Sequence, residues 1–339
     1  MSGMIPGTMP HLPSSATVSG ARAILRSRRV QVAIGAGIAL AVGTTPVLGA
    51  VAGPPAPVNT PGPAAVVPLL PGPRVPARWR NPEPWTGSPA AVLVTSVPID
   101  AAGDTASIAW FRTGRTQLAL YPGIKNPGST PYRRGPESVP RAGLTNLVAT
   151  FNSGFYLKDA PGGFFAHDTL YAPMIRGLAT VLSYRDGRVD IVRWTGGPAP
   201  GPGVLAARQN LPLLVSGGRG APGVNVSPAW GDTLGGAPAV WRSAIGVDRN
   251  GNLLYVAAPS QTAPTLARVL IHAGAVRAME LDINPAWPIL ATFGRPEAGA
   301  PSLFVPNPNQ VATRFLTPNI KDFFAVYLRT TIEPLPPPF

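Results

Sequence analysis

The stretch 241–287, WRSAIGVDRNGNLLYVAAPSQTAPTLARVLIHAGAVRAMELDINPAW, limits what this chain can fold into more than any other. Two apolar runs flank Asn250-Gly251, a dipeptide that favours the tight turn of a two-stranded hairpin. A helical pattern follows over 263–273, with Thr262 as N-cap, Pro264 in the first turn and Gly274 just past the end. Leu266, Val269, Leu270 and Ala273 form its buried stripe. VRAMELD then reads as a further strand. The result is strand, turn, strand, helix, strand, with Arg242 at one end and Glu280 and Asp282 at the other. Charges in otherwise apolar strands are costly, so they are either paired for structure or held ready for a ligand.

The rest of the body repeats this β-rich grammar. AVLVTSVPI, ASIAWFRT and TQLALYPG read as strands, and LTNLVATFNSGFY leads into the glycine-rich PGGFFAHD, which reads as a mobile loop. ATVLSYRDGRVDIVRW reads as a hairpin around Arg185-Asp186-Gly187, and FFAVYLRTT as a last strand. Many strands with few helices predict an α+β fold: a single domain with a mixed, mostly antiparallel twisted β-sheet flanked by a few helices. It spans 90–330, and about 250 residues are ample for a proper core.

The N-terminal part differs. A basic region, 1–29, ends in Arg26, Arg28 and Arg29, and an uncharged run follows at 30–52. That run reads as a secretory signal peptide ending near Ala52, or as a transmembrane anchor if uncleaved. Either reading places the body outside the cytoplasm, secreted or anchored to the membrane. Residues 53–89 are dense in proline, which removes backbone donors and favours extended chain, and read as a semi-rigid linker. A Pro-rich tail, 331–339, closes the chain.

Composition excludes several chemistries. There is no cysteine, so disulfides, thiolate catalysis and Cys-based metal sites are ruled out. His11, His167 and His272 lie far apart in sequence, which argues against a His-rich zinc site. The Gly-Gly pairs at 217–218 and 235–236 lack a Walker lysine or a dinucleotide fingerprint. No metal or cofactor is expected. The net charge of +13 is scattered: residues 1–90 carry seven Arg against one acid, and the remainder 21 basic residues against 14 acids. Only Lys125, Lys158 and Lys321 are lysines. With no binding motif, nucleic acid is not an expected partner.

Strict alternation along 277–282 puts Ala278, Glu280 and Asp282 on one face, and Asn284-Pro285 turns the chain just beyond. A carboxylate at a strand end suits an acid that works on a ligand, and it equally suits a turn cap. Arg242 shares its face with Ala244 and Gly246, which leave room above the sheet for a ligand or for packing; a structural pair with Asp282 or Glu280 is the alternative. Asn152 precedes Ser153-Gly154 and is a turn former or a ligand contact. His167 in its loop is a proton shuttle or a solvent-exposed residue.

Taken together, ATFNSGFY, the GGFF segment, WRSAIGVDRNGNLLYV and HAGAVRAMELD resemble the phosphodiester glycosidase family, over roughly 90–329. The resemblance implies an exported hydrolase that cleaves a sugar-1-phosphodiester bond in a cell-envelope glycan or glycoconjugate. Asn152, Arg242 and Asp282 stand at the family's polar positions, so the catalytic candidates are Asp282, Arg242 and Asn152, with Glu280 as a helper on the same face; Arg242, Asn152, Gly154, His167 and Asn284 are the candidate contacts to a phosphorylated sugar. One departure stands out: Leu281-Asp282 is followed by Ile283-Asn284-Pro285-Ala286 where the family carries a glycine triplet and serine. Pro285 offers no N–H and Ile283 adds bulk, so a backbone phosphate cradle is altered or absent. The alternative is therefore a non-catalytic envelope module that binds anionic cell-wall polysaccharide.

Overall fold

The computed structural model describes residues 60–70, 75–128, 135–226, 230–231, 237–295 and 301–329. The basic region 1–29, the apolar run 30–52 and the tail 331–339 lie outside the described residues. Among the described residues, no helix is long and apolar enough to cross a membrane.

In chain order the strands are β1 Val92–Pro98, β2 Thr105–Phe111, β3 Thr116–Tyr121, β4 Leu147–Asn152, β5 Phe164–Ala166, β6 Thr169–Ala172, β7 Ala179–Tyr184, β8 Val189–Arg193 and β9 Val204–Asn210. There follow β10 Leu213–Ser216, β11 Arg219–Gly220, β12 Val240–Asp248 and β13 Leu253–Gln261. The helix α1, Ala263–His272, precedes β14 Ala275–Glu280, β15 Leu290–Thr292, β16 Ser302–Leu303 and β17 Phe323–Leu328.

The strands form three sheets: β1-β2-β13-β12-β14-β10-β11, β16-β15-β4-β17-β3 and β6-β5-β9-β7-β8. Every pairing between named strands is antiparallel. The expected β-rich, helix-poor architecture is present, but as three antiparallel sheets where one mixed sheet was expected. The cause is visible in the strands themselves. β3 is buried at every position, as is β4, so each needs a cover on both faces. Period-two alternation then sends neighbours into different cores. Ile108 and Trp110 join the core under α1, while Ala109 and Phe111 join a second core that holds residues of all three sheets.

Helix α1 starts and stops where expected. Thr262 Oγ1 accepts the Thr265 N–H while Thr265 Oγ1 accepts the Thr262 N–H, a reciprocal cap. Gly274, at φ 96°, turns the chain out of the helix and into β14.

Two expectations are corrected. PGGFFAHD is not a mobile loop: Phe164–Ala166 is strand β5, paired with β9, and His167 and Asp168 form the left-handed turn to β6 at φ 50° and 55°. Nor does the described part of the proline-rich stretch stand off as a linker. Val66 is fully buried in the α1-side core, Ala77 pairs with Val66, and Arg80 pairs with Val94 of β1. Trp85 Nε1 donates to the Phe293 carbonyl at 2.9 Å. Prolines leave this chain extended, and its Val, Ala and Trp side chains bury against the sheet edge.

Candidate functional site

Strand ends from all three sheets converge at one place. The C-terminal ends of β4, β9 and β14 meet the residues that enter β17, and the polar side chains collect there. Their arrangement begins with a slip in the ladder between β12 and β14. Ser243 donates its N–H to the Asp282 carbonyl and accepts from the Leu281 N–H, so two residues oppose one. A bulge of this kind re-aims the side chain that follows. Glu280 and Asp282, one face by strict alternation, consequently point to different partners.

Glu280 stays on the α1 side and meets Arg242 Nη1 at 2.6 Å. Two further guanidinium donors go to backbone: Nε to the Gln261 carbonyl at 2.9 Å and Nη1 also to the Trp230 carbonyl at 3.0 Å. Both side chains are buried, and Glu280 Oε2 has no hydrogen-bond partner among the described residues. Burial pushes the Glu280 carboxyl up to about 7, against the pull of Arg242.

Asp282 turns the other way. Its Oδ1 accepts the Asn284 N–H at 2.9 Å, and its Oδ2 is ion-paired with Lys321 Nζ. Lys321 lies two residues before β17 and had no place in the sequence reading. Its ammonium sits 4.6 Å from the Tyr156 ring centroid and 4.9 Å from that of Trp287, and these two rings meet edge to face. Arg314 lies 4.6 Å from the Trp287 ring centroid as well. Burial pulls the Lys321 ammonium down to about 7, although Asp322 nearby favours the charged form.

The altered turn after Asp282 acquires a purpose in this geometry. Asn284 Oδ1 accepts the Ala286 N–H at 3.0 Å, and the Asn284 carbonyl accepts the Trp287 N–H at 2.8 Å. Asn307 Nδ2 holds the Pro285 and Pro288 carbonyls. The Asn284 and Ala286 N–H groups are thus taken up by side chains of the turn itself, and the turn delivers Trp287 over Lys321.

Asn152 has all of its polar capacity spent inside the fold. Its Oδ1 accepts from Tyr255 Oη at 2.8 Å and from the Ile289 N–H at 3.2 Å; its Nδ2 donates to Ser243 Oγ and the Ser153 carbonyl. The Ser153 carbonyl in turn accepts the Asp282 N–H. Gly154 is glycine because a Cβ would come within 2.9 Å of the Asn210 side chain. Asn210 bonds the Phe155 N–H and the Glu280 carbonyl, which ties the 153–156 loop to the end of β14. Beneath it, Arg208 and Asp322 form a fully buried ion pair at 2.9 Å.

His167 does not join this group. Its ring packs 5.3 Å from Tyr121, burial pulls its pKa down, and Nε2 is buried without a partner among the described residues. Of the expected residues, Asn152, Gly154, Arg242, Glu280, Asp282 and Asn284 thus come together at the strand ends. The missing members were Lys321, Tyr156, Trp287 and Arg314. A cation directly before an apolar strand, in Asn319-Ile320-Lys321-Asp322-Phe323, was the one available signal for Lys321. Among the described residues no group of three or more His, Asp or Glu is placed to hold a metal.

The fold and site define a three-sheet antiparallel domain with a buried carboxylate–lysine pair under an aromatic rim. No protein-family model matches the chain, and no curated protein matches it. Solved structures do align with it. The zebrafish N-acetylglucosamine-1-phosphodiester alpha-N-acetylglucosaminidase catalytic domain, auto-inhibited by its pro-peptide, is 15% identical with a TM-score of 0.43, over 76% of this chain and 89% of that one. A hypothetical protein from Synechocystis is 15% identical with a TM-score of 0.42, over 70% of this chain and 62% of that one. An exported protein from Burkholderia pseudomallei K96243 aligns at 15% identity and a TM-score of 0.25. The chain thus spans less than two thirds of the Synechocystis protein. These relationships are distant, and none assigns a residue role or a substrate to this chain.

Proposed function

We propose that this domain is an exported hydrolase of the phosphodiester glycosidase kind, which separates a sugar's anomeric carbon from a phosphodiester oxygen in an envelope glycan or glycoconjugate. The observation that carries the reading is the Asp282–Lys321 pair beneath Tyr156 and Trp287, with Arg314 beside it. The rings offer flat apolar faces to a sugar, and the two cations offer charge to its phosphate. An arriving phosphate competes with Asp282 for Lys321, so binding frees the carboxylate at the anomeric carbon. Asp282 then acts as nucleophile or as the base that activates water. The departing phosphate monoester has a second pKa near 6, so it leaves without a strong acid. Arg242, Glu280 and Asn152 act one step back, as positioning residues that hold the strand ends carrying Asp282.

A specific observation favours the second reading, a module that binds anionic glycan without cutting it. Both Asp282 oxygens are occupied, and its side chain is only 4% exposed. One experiment separates the two: incubate the protein with a panel of sugar-1-phosphodiesters and assay released sugar and retained binding. The hydrolase reading requires turnover that Asp282→Asn lowers by about 10²- to 10⁴-fold, the usual reach of a positioned acid or base, while the circular dichroism of the fold is kept. Binding with no turnover in the wild type establishes the module instead.

A further inference from the structure

This chain takes 25 of its 28 basic residues as arginine, and its three lysines, Lys125, Lys158 and Lys321, are 33 and 163 residues apart in sequence. The fold brings all three to one residue. Asn126 Nδ2 donates to Asp322 Oδ1, and Asn126 Oδ1 accepts the Leu157 N–H at 2.9 Å. Each lysine is the chain neighbour of a member of that junction: Lys125 of Asn126, Lys158 of Leu157 and Lys321 of Asp322. Two further ties fix the assembly. The Lys125 N–H donates to the Ile320 carbonyl at 2.9 Å, next to Lys321. Gly123 runs so close to this segment that a Cβ there would lie 2.2 Å from the Lys321 carbonyl carbon. Lys158 Nζ stands 5.6 Å from the Tyr156 ring centroid, on whose face Lys321 also rests.

The charges do not cancel. Asp282 is spent on Lys321 and Asp322 on Arg208, while Asp159, next to Lys158, is exposed. Arg314 bonds only neutral oxygens, of Asn319, Ala286 and Gln310. Lys125 and Lys158 are exposed and make no ion pair among the described residues. An ammonium on a flexible stem is a compact point charge that meets phosphate from many directions, where the planar guanidinium needs one geometry.

We infer that Lys125 and Lys158 form a second anion subsite beside the Asp282–Lys321 pair, and that the ligand carries at least two phosphates in series, as a glycan or glycoconjugate with repeating phosphodiesters does. This rests on the reading of the site as one for phosphorylated sugar. Tripolyphosphate and orthophosphate are suitable probes, titrated calorimetrically into the full-length chain in detergent. Wild type is expected to bind tripolyphosphate more tightly than orthophosphate. The variant K125Q/K158Q should lose about tenfold in tripolyphosphate affinity, the combined effect of two exposed charges, and little for orthophosphate. R249Q/R268Q, which loses the same number of charges at exposed positions of the β12–β13 turn and α1, serves as the control. Unchanged tripolyphosphate affinity in K125Q/K158Q, or an equal loss in R249Q/R268Q, overturns the inference. Sugar release from simple sugar-1-phosphodiesters is scored separately. Turnover without a lysine effect removes only the second subsite, whereas a lysine effect without turnover keeps the subsite and removes the hydrolase.

Discussion

Two buried ion pairs lie side by side at the end of β14, one on Glu280 and one on Asp282, and their cations have different surroundings. Arg242–Glu280 sits on the α1 side, where the cation's other bonds go to backbone carbonyls of Gln261 and Trp230. Asp282–Lys321 sits under the half-buried rings of Tyr156 and Trp287, a rim termed the mouth, with Asp322 also near its cation. The Arg242 guanidinium gives three of its five N–H donors to a carboxylate and two backbone carbonyls, which ties it into the framework of the fold. The Lys321 ammonium, paired with Asp282 and with ring faces on two sides, makes few fixed bonds beyond that pair. Burial alone therefore does not distinguish the two charges; what fills the rest of each cation's surroundings does.

The sharpest way to break the comparison is Arg242→Met. Removing one partner of a sealed pair strands Glu280, and the expected loss is about 3–5 kcal/mol in chemical denaturation. The double variant R242M/E280L, apolar on both sides, should recover most of it. A single variant as stable as wild type would show that this pair is not the lock described. Lys321→Met should cost less, about 1–3 kcal/mol, because Asp282 keeps the Asn284 N–H and gains water at the mouth. Its larger effect should fall on kcat/KM for a sugar-1-phosphodiester. Equal losses of stability in the two variants would erase the distinction between the pairs.

How much of this was readable beforehand follows the range of the interactions. The Asn250-Gly251 hairpin, the capped helix and β14 depend on residues within a few positions of one another, and all appear where the pattern put them. Gathering Asn152, Arg242, Glu280 and Asp282 at strand ends was also visible, because polar residues ending apolar strands must share the sheet's rim. The choice of partners was not. A one-residue slip opposite Ser243 separates Glu280 from Asp282, and no local preference announces it. Lys321 comes from the far end of the chain, 39 residues after Asp282, and the second sheet alone brings it in. Trp287 was hidden for another reason: the segment after Asp282 carried no signal beyond a turn, and only the Asn284 turn places its ring by Lys321.

The pH dependence sharpens the comparison next. Glu280 has a folded pKa raised to about 7 from an ordinary 4.5 by burial, so the folded state holds its proton more firmly than the unfolded chain. Its contribution to stability is complete below pH 4.5 and is lost as pH rises to about 7. One proton gives a slope of at most about 1.4 kcal/mol per pH unit. Thermal melts of Glu280→Gln against wild type across pH 4.5–7 should show that slope removed. A slope that persists in Glu280→Gln assigns it to another group.

The smallest effect tests the mouth itself. Lys321 has the opposite sign: its folded pKa is lowered to about 7 from 10.5, mainly by burial, so stability from this group rises with pH between about 7 and 10.5. Trp287 supplies one wall of that burial. Trp287→Leu removes a ring 4.9 Å from the ammonium, a contact of about 0.5–1 kcal/mol, but it also admits water. Hydration favours the charged form more than the ring did, so the Lys321 pKa should move up towards its ordinary value, measurable by NMR of the Nζ or the adjacent Cε. The rising limb of stability should shift to higher pH by the same amount, while the Glu280 window below pH 7 stays in place, since that pair lies on the α1 side of the sheet. A shift of both windows in Trp287→Leu would mean that the two charged pairs share one environment, and the contrast between lock and mouth would fail.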